Sequence, residues 1–175
     1  MPANRRLDAG FAELIRQPPG LDQLVMDDDL KEEVVQLLAP GRGGPKPVVL
    51  TSGTEGTGRK AVVLGAAAKH GYSVLHVRCD DLPADSRELP KVMRSLIREA
   101  ILFRAMPLFE NIDVLPGEPE TGRPDRSKPL DKALNDFLGP AAGTCGLLDT
   151  RPINLGRGLV MVDLSIPTEA RRRKL

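Results

Sequence analysis

The sequence predicts a three-layer α/β fold, a mainly parallel five-stranded sheet covered by helices on both faces. Three observations predict it. Apolar β-type runs alternate with amphipathic helical stretches along most of the 175 residues, the pattern of strand–helix–strand units. The runs are continuously apolar or mixed rather than strictly alternating, as strands buried on two faces are. One run, Val48, Val49 and Leu50, passes through a turn holding Gly53, Gly56 and Gly58 into a helix carrying Ala61, Val62, Val63, Leu64, Ala67 and Ala68. Strand, glycine-rich loop and helix in that order are what a phosphate-binding loop requires. The glycines let the backbone turn its N–H groups inward, and the helix start adds a positive dipole end.

Composition narrows the function classes. The length suits one domain with a sizeable core. With 25 Lys+Arg against 24 Asp+Glu, the net charge of +1 makes no case for nucleic acid or a membrane surface as partner. No apolar run approaches the ~20 residues needed to span a bilayer, and the start MPANRRLDAGF lacks a signal peptide's apolar region. Cys79 and Cys145 sit in no CxxC pair, and His70 and His76 have no Cys or His neighbour at ligand spacing. They read as buried reduced cysteines and as histidines outside any metal site. The expected compartment is the cytoplasm.

Residues 1–20 read as an irregular lead-in, with Phe11, Leu14 and Ile15 in one helical turn that Pro18-Pro19-Gly20 ends. The α/β domain occupies 21–175. From Asp27 a short helix is expected, acidic in its first turn and apolar at Leu30, Val34, Val35, Leu37 and Leu38. The Pro- and Gly-rich stretch 40–45 is a connector before the first core strand. After the loop helix, Gly71 marks a stop and 72–77 reads as the second strand, with His76 as a partly buried core residue. Ser86 is placed to cap the strongest helical pattern in the chain, Leu89, Val92, Met93, Leu96, Ile97, Ala100 and Ile101 at steps of three and four. A short strand within 107–115 ends in polar residues. The Pro-, Gly- and charge-rich stretch 116–129 is expected to be a mobile loop. A helix over 130–138 follows, then strands at 146–149 and 158–164. Ile166-Pro167-Thr168-Glu169 reads as the capped start of a further helix, and the basic run 171–174 as its exposed beginning.

Together these residues resemble a known family. Gly53-Thr54-Glu55-Gly56-Thr57-Gly58-Arg59-Lys60 is similar to the GPPGTGKT loop, the Walker A motif, of the AAA+ ATPases. Phe109-Glu110-Asn111-Ile112-Asp113 resembles their Walker B strand, which ends in Asp-Glu followed by Ile-Asp. Leu148-Asp149-Thr150-Arg151-Pro152 stands where the family has its first sensor strand, and Ile166-Pro167-Thr168-Glu169-Ala170-Arg171 resembles the segment leading into its helical lid. Leu21-Asp22-Gln23-Leu24-Val25 resembles the segment lying over the adenine. The resemblance implies a P-loop NTPase fold without the helical lid. It puts the 47–52 strand between those at 146–149 and 158–164. It also implies phosphate contacts at Gly53, Glu55, Gly56, Thr57, Gly58, Arg59 and Lys60, and partners among other AAA+ modules or in a homo-oligomeric ring.

The departures from the pattern carry the functional expectation. Arg59 replaces the Walker lysine with a bulkier, forked cation. Lys60 replaces the hydroxyl that ligates Mg²⁺, and an ammonium offers three donors and no acceptor. Glu110 stands at the Asp position and Asn111 at that of the catalytic Glu; an amide cannot take a proton from water, and losing a general base costs ~10²–10⁴-fold in rate. Thr150 stands at the sensor Asn. No Arg-Arg-Phe finger pattern precedes the last strand, although Arg157 is near. The stretch 79–83 has no aromatic for substrate threading. The expectation is a degenerate AAA+ module serving regulation or assembly beside a protein partner, binding ATP or ADP weakly and without Mg²⁺. Two alternatives stay open: a slow ATPase using Arg59 and Glu110, and a nucleotide-free interaction domain whose pocket is filled by Arg59 and Lys60.

Overall fold

The computed structural model describes residues 4–6, 10–41, 43–146 and 153–164. Its sheet has seven strands: β1 Asn4–Arg6, β2 Ala12–Ile15, β3 Val48–Ser52, β4 Ser73–Arg78, β5 Ala105–Glu110, β6 Ala142–Cys145 and β7 Leu159–Asp163. Their spatial order is β1-β2-β4-β5-β6-β3-β7. The five strands from β4 to β7 in that order pair in parallel and form the expected sheet. The flanked position of β3, between β6 and β7, is also as expected.

The other two strands correct the reading of 1–20. The segment is no irregular lead-in with a helical turn: β1 and β2 form an antiparallel hairpin that adds to the edge of β4. Ala12 and Leu14 turn into the core and Glu13 and Ile15 are half-buried, a period of two that four residues are too few to reveal in sequence. The backbone of β4 decides the matter, with Ala12 opposite Val77 and Leu14 opposite Leu75.

The strand expected at 146–149 begins earlier, as β6 Ala142–Cys145, and Gly146 lies just past its end; 147–149 fall outside the described residues. Ala-Gly-Thr-Cys is a weak β sequence, but the site admits nothing larger. A Cβ on Gly143 would lie 3.1 Å from Leu50 Cδ1 and 3.3 Å from Ile112 Cδ1.

Helix α1, Asp28–Leu37, is capped by Asp27, whose Oδ1 accepts from Asp29 N at 3.0 Å. Helix α2 is Arg59–Lys69 and α3 is Leu89–Leu102. Ahead of α3 it is Asp85 rather than Ser86 that closes the turn, accepting from Arg87 N at 2.7 Å. Helix α4, Ser127–Asn135, takes in the last residues of the expected loop, because Asp125 accepts from Ser127 N at 2.9 Å and starts it early. The loop before it is tied by a bridge between Glu118 and Arg123. The capped segment around Ile166 and Thr168 lies outside the described residues.

The sheet separates two cores. Val34, Val35 and Leu38 of the α1 region pack with Val62 and Val63 of α2 over Val49, Val74 and Leu108. On the other face Leu89, Met93, Leu96 and Ile97 of α3 pack with Leu130 and Leu134 of α4 over Leu50, Leu75 and Phe109. Cys79 and Cys145 are buried and free; burial pushes the Cys145 thiol up to about 11 and Cys79 higher still, so both are inert thiols.

Candidate functional site

The glycine-rich loop leaves the carboxyl end of β3 and enters α2, at the same edge of the sheet as the ends of β4, β5 and β6. The Thr54 carbonyl accepts from Thr57 N at 3.2 Å and from Thr57 Oγ1 at 2.8 Å, closing the loop on itself. At Gly53 a Cβ would lie 2.7 Å from Thr57 Oγ1. Gly58 caps α2 at φ 85°, a conformation that L side chains resist, and a Cβ there would meet Leu24 Cδ1 and Met26 Cε at 3.3 Å. The loop thus seats against the segment expected over a base. Thr54, Glu55 and Gly56 are exposed, and no side chain caps the start of α2. The start of α2 thus keeps backbone N–H groups that no side chain caps.

The side chains that follow the loop are engaged with the protein itself. Arg59 Nη1 donates to the Cys145 carbonyl at the end of β6, and Thr51 Oγ1 donates to the Arg59 carbonyl at 3.1 Å. Lys60 Nζ lies 3.2 Å from Glu110 Oε1. The second oxygen, Glu110 Oε2, lies 2.7 Å from His76 Nε2. Helix α2, β5 and β4 each supply one member of this cluster.

Burial alone would push the Glu110 carboxyl up; His76 and Lys60 together outweigh it and hold the carboxyl below the ordinary carboxylate range. His76 is pushed down by burial, against the pull of Glu110. The imidazole is therefore neutral at pH 7. It gives Glu110 a hydrogen bond from Nε2–H rather than a second ion pair, and the charge partner of Glu110 is Lys60.

Asn111 leaves β5 in a left-handed conformation, φ 57° and ψ 50°. Its N–H donates to Thr144 Oγ1 at 3.1 Å and its Nδ2 to Asp80 Oδ2 at 2.7 Å, so its amide is held toward the end of β4. Asp113 accepts from Gly146 N at 3.3 Å. Thr150 lies outside the described residues. Arg157 is a structural pin: its guanidinium donates to the carbonyls of Lys46 at 2.7 Å, Leu134 at 3.2 Å, and Phe137 and Gly139 at 2.8 Å.

Sequence reasoning missed the part played by His76. It sits on β4 at the parity of Val74, facing α2, and its Cα partner on β5 is Leu108, two residues before Glu110. Only the parallel register brings it to the carboxylate.

These residues do not fit the Mg²⁺ that the resemblance implies. A divalent cation needs oxygen ligands, and the carboxylate that would supply them is already bound by an ammonium and an imidazole. Among the described residues no group of three or more His, Cys, Asp or Glu converges on a metal-sized site.

No protein-family model matches the sequence, and no curated protein matches it. Solved structures match the fold. The FIGL-1 AAA domain in complex with ADP superposes with a TM-score of 0.65 at 18% identity, covering 90% of this chain and 59% of that chain. A second FIGL-1 AAA domain structure gives 0.66 at 16%, covering 92% and 60%. A katanin structure concerned with self-assembly gives 0.63 at 17%, covering 90% and 57%. The chain has the α/β fold of these AAA domains and spans less than two thirds of their length.

Proposed function

We propose that this chain is a degenerate AAA+-type module whose hydrolytic corner is replaced by an internal salt bridge, and that it serves regulation or assembly in the cytoplasm. The observation that carries the reading is the Lys60–Glu110 contact at 3.2 Å, which sets a fixed positive charge where hydrolysis needs a metal. Asn111, tied to Asp80, supplies no base. What remains is the loop backbone, from Glu55 to Lys60, as a phosphate cradle. That the FIGL-1 AAA domain was solved with ADP supports a vestigial ATP or ADP site. The katanin self-assembly structure supports assembly with like modules.

In this reading nucleotide binds at about 10⁻⁵–10⁻⁴ M, some 5–7 kcal/mol, with little preference for ATP over ADP and no need for magnesium. Calorimetric titration with ATP, with and without EDTA, is expected to give the same weak isotherm. Turnover near ~1 s⁻¹, or tight binding that EDTA abolishes, would overturn it. The combined variant Arg59→Lys, Lys60→Thr, Asn111→Glu is expected to gain Mg²⁺-dependent binding.

One observation favours a second reading, a nucleotide-free interaction domain. Both cations that would meet phosphates are held by the protein itself, Arg59 by the Cys145 carbonyl and Lys60 by Glu110. No heat of binding in the same titration selects it. The slow ATPase is disfavoured by the same contact, since Glu110 is not free for a metal.

A further inference from the structure

Glu110 is shared between two partners of unequal standing. Its Oε1 lies 3.2 Å from Nζ of Lys60, whose side chain is 44% exposed. Its Oε2 lies 2.7 Å from Nε2 of His76, whose side chain is 9% exposed. Water can take over the ammonium at little cost, whereas a charged imidazole buried this far has to keep the carboxylate.

The surroundings of His76 give a proton a way in. A polar crevice of about 30 Å³ between the β1–β2 hairpin and β4 is lined by Gly10, Phe11, Ala12, Glu13, His76 and Arg78, and it has room for water. The charged groups around the ring are Glu13, its Cα partner on β2, Arg78 on β4, Glu110 on β5 and Lys60 on α2. The two carboxylates favour a charged ring and Lys60 opposes it. His76 and Lys60 thus compete for one carboxylate, and a single proton decides between them.

We propose that His76 is a proton switch on Lys60: a proton taken up from the crevice secures Glu110 to His76 and releases Lys60 to the glycine-rich loop. The imidazolium holds the carboxylate by a charge-assisted hydrogen bond and repels the ammonium. Lys60 is the second residue of α2, so its flexible stem leaves the freed charge beside the uncapped start of that helix. Arg59 stays on the Cys145 carbonyl. The loop gains one mobile positive charge, and its affinity for an anion rises. By linkage the converse holds: an anion that draws Lys60 away makes His76 easier to protonate. The switch works below pH 6.5, since burial sets His76 under that ordinary value. It works above the range in which Glu110, held under 4.5, itself takes a proton. The gain in anion affinity rests on the loop cradle proposed above; the release of Lys60 does not.

Side-chain ¹³C relaxation of the 175-residue chain tests the release without any ligand. The Cε of Lys60 is ordered while the ion pair stands and mobile once it breaks. It is expected to become mobile over the same pH interval in which the His76 ring titrates. In His76→Gln it is expected to stay ordered until Glu110 titrates. A Lys60 that remains ordered beside a charged His76, or that is already mobile at neutral pH, would overturn the proposal, and the wild type alone decides this. Calorimetry with ATP at ~pH 7.5 and ~pH 5.5 reads the consequence: the affinity of the wild type relative to His76→Gln is expected to rise about fivefold or more. Taking that ratio cancels the protonation of ATP itself. An unchanged ratio with ATP bound would also overturn the proposal. No heat at either pH would instead overturn the nucleotide-site reading, and the relaxation measurement would still decide the switch.

Discussion

One side chain, Lys60, changes what the loop above it can do. A threonine there leaves an acceptor for a cation; a lysine brings the cation permanently on a tether, 3.2 Å from Glu110. His76 completes the cluster, and its burial gives stability a dependence on pH. In the folded chain its pKa lies below the ordinary 6.5, so between those two values the unfolded chain binds more protons. Stability is full above pH 6.5 and is lost as pH falls through that window. Glu110, held below its ordinary 4.5, acts in the same sense at lower pH: its contribution is present above 4.5 and lost below. Urea midpoints measured across this range are therefore expected to fall in two steps on acidification. His76→Gln is expected to remove the upper step and Glu110→Gln to reduce the lower one, which Asp125 and Glu32, also held low, share. An unchanged upper step in His76→Gln would show that another group titrates there.

At the scale of elements, the hairpin β1–β2 is the largest departure from the sequence reading. It covers the edge of β4, which would otherwise present unpaired backbone groups to solvent, and it buries Leu14 at 1% exposure. Leu14→Ala is expected to destabilise the chain by about 2–5 kcal/mol, the cost of a core truncation. In an irregular lead-in the same change would cost under ~0.5 kcal/mol, so one denaturation curve separates the two descriptions. The elements that were legible have long periodic patterns or strong caps: α3 with its three-and-four spacing, α1 with Asp27. Those misplaced, β2 and β6, are four residues each, and their residues take the strand conformation from a neighbour already in place.

At the scale of the whole molecule, Arg157 ties distant parts of the chain together. Its four acceptors lie on the connector before β3, at the end of α4 and in the turn before β6. Burial lowers its pKa, and four carbonyls take the place of an acidic partner, of which none is in reach among the described residues. Arg157→Ala leaves those carbonyls short of donors and is expected to cost about 2–4 kcal/mol. Arg157→Lys is expected to recover only part of that, since an ammonium cannot reach carbonyls spread around a planar fork. Denaturation of the two variants checks the ranking. Equal stability of both with the wild type would show the pin to be redundant.

What the sequence determined by itself is the part encoded locally. Alternating apolar runs and helices, and glycines at 53, 56 and 58 between a strand and a helix, are enough to specify a phosphate-loop α/β fold, because each signal lies within a few residues of the backbone it shapes. The identities of Arg59, Lys60, Glu110 and Asn111 already argued against a metal-dependent engine. Only the tertiary structure decided where those charges go. The Lys60–Glu110–His76 cluster joins residues 34 and 50 positions apart through the register of two parallel strands and the docking of one helix, and no local pattern carries that information. The same holds for Arg59 on the Cys145 carbonyl, 86 residues away. Long-range contact, not composition, decides whether a charge is solvated or paired.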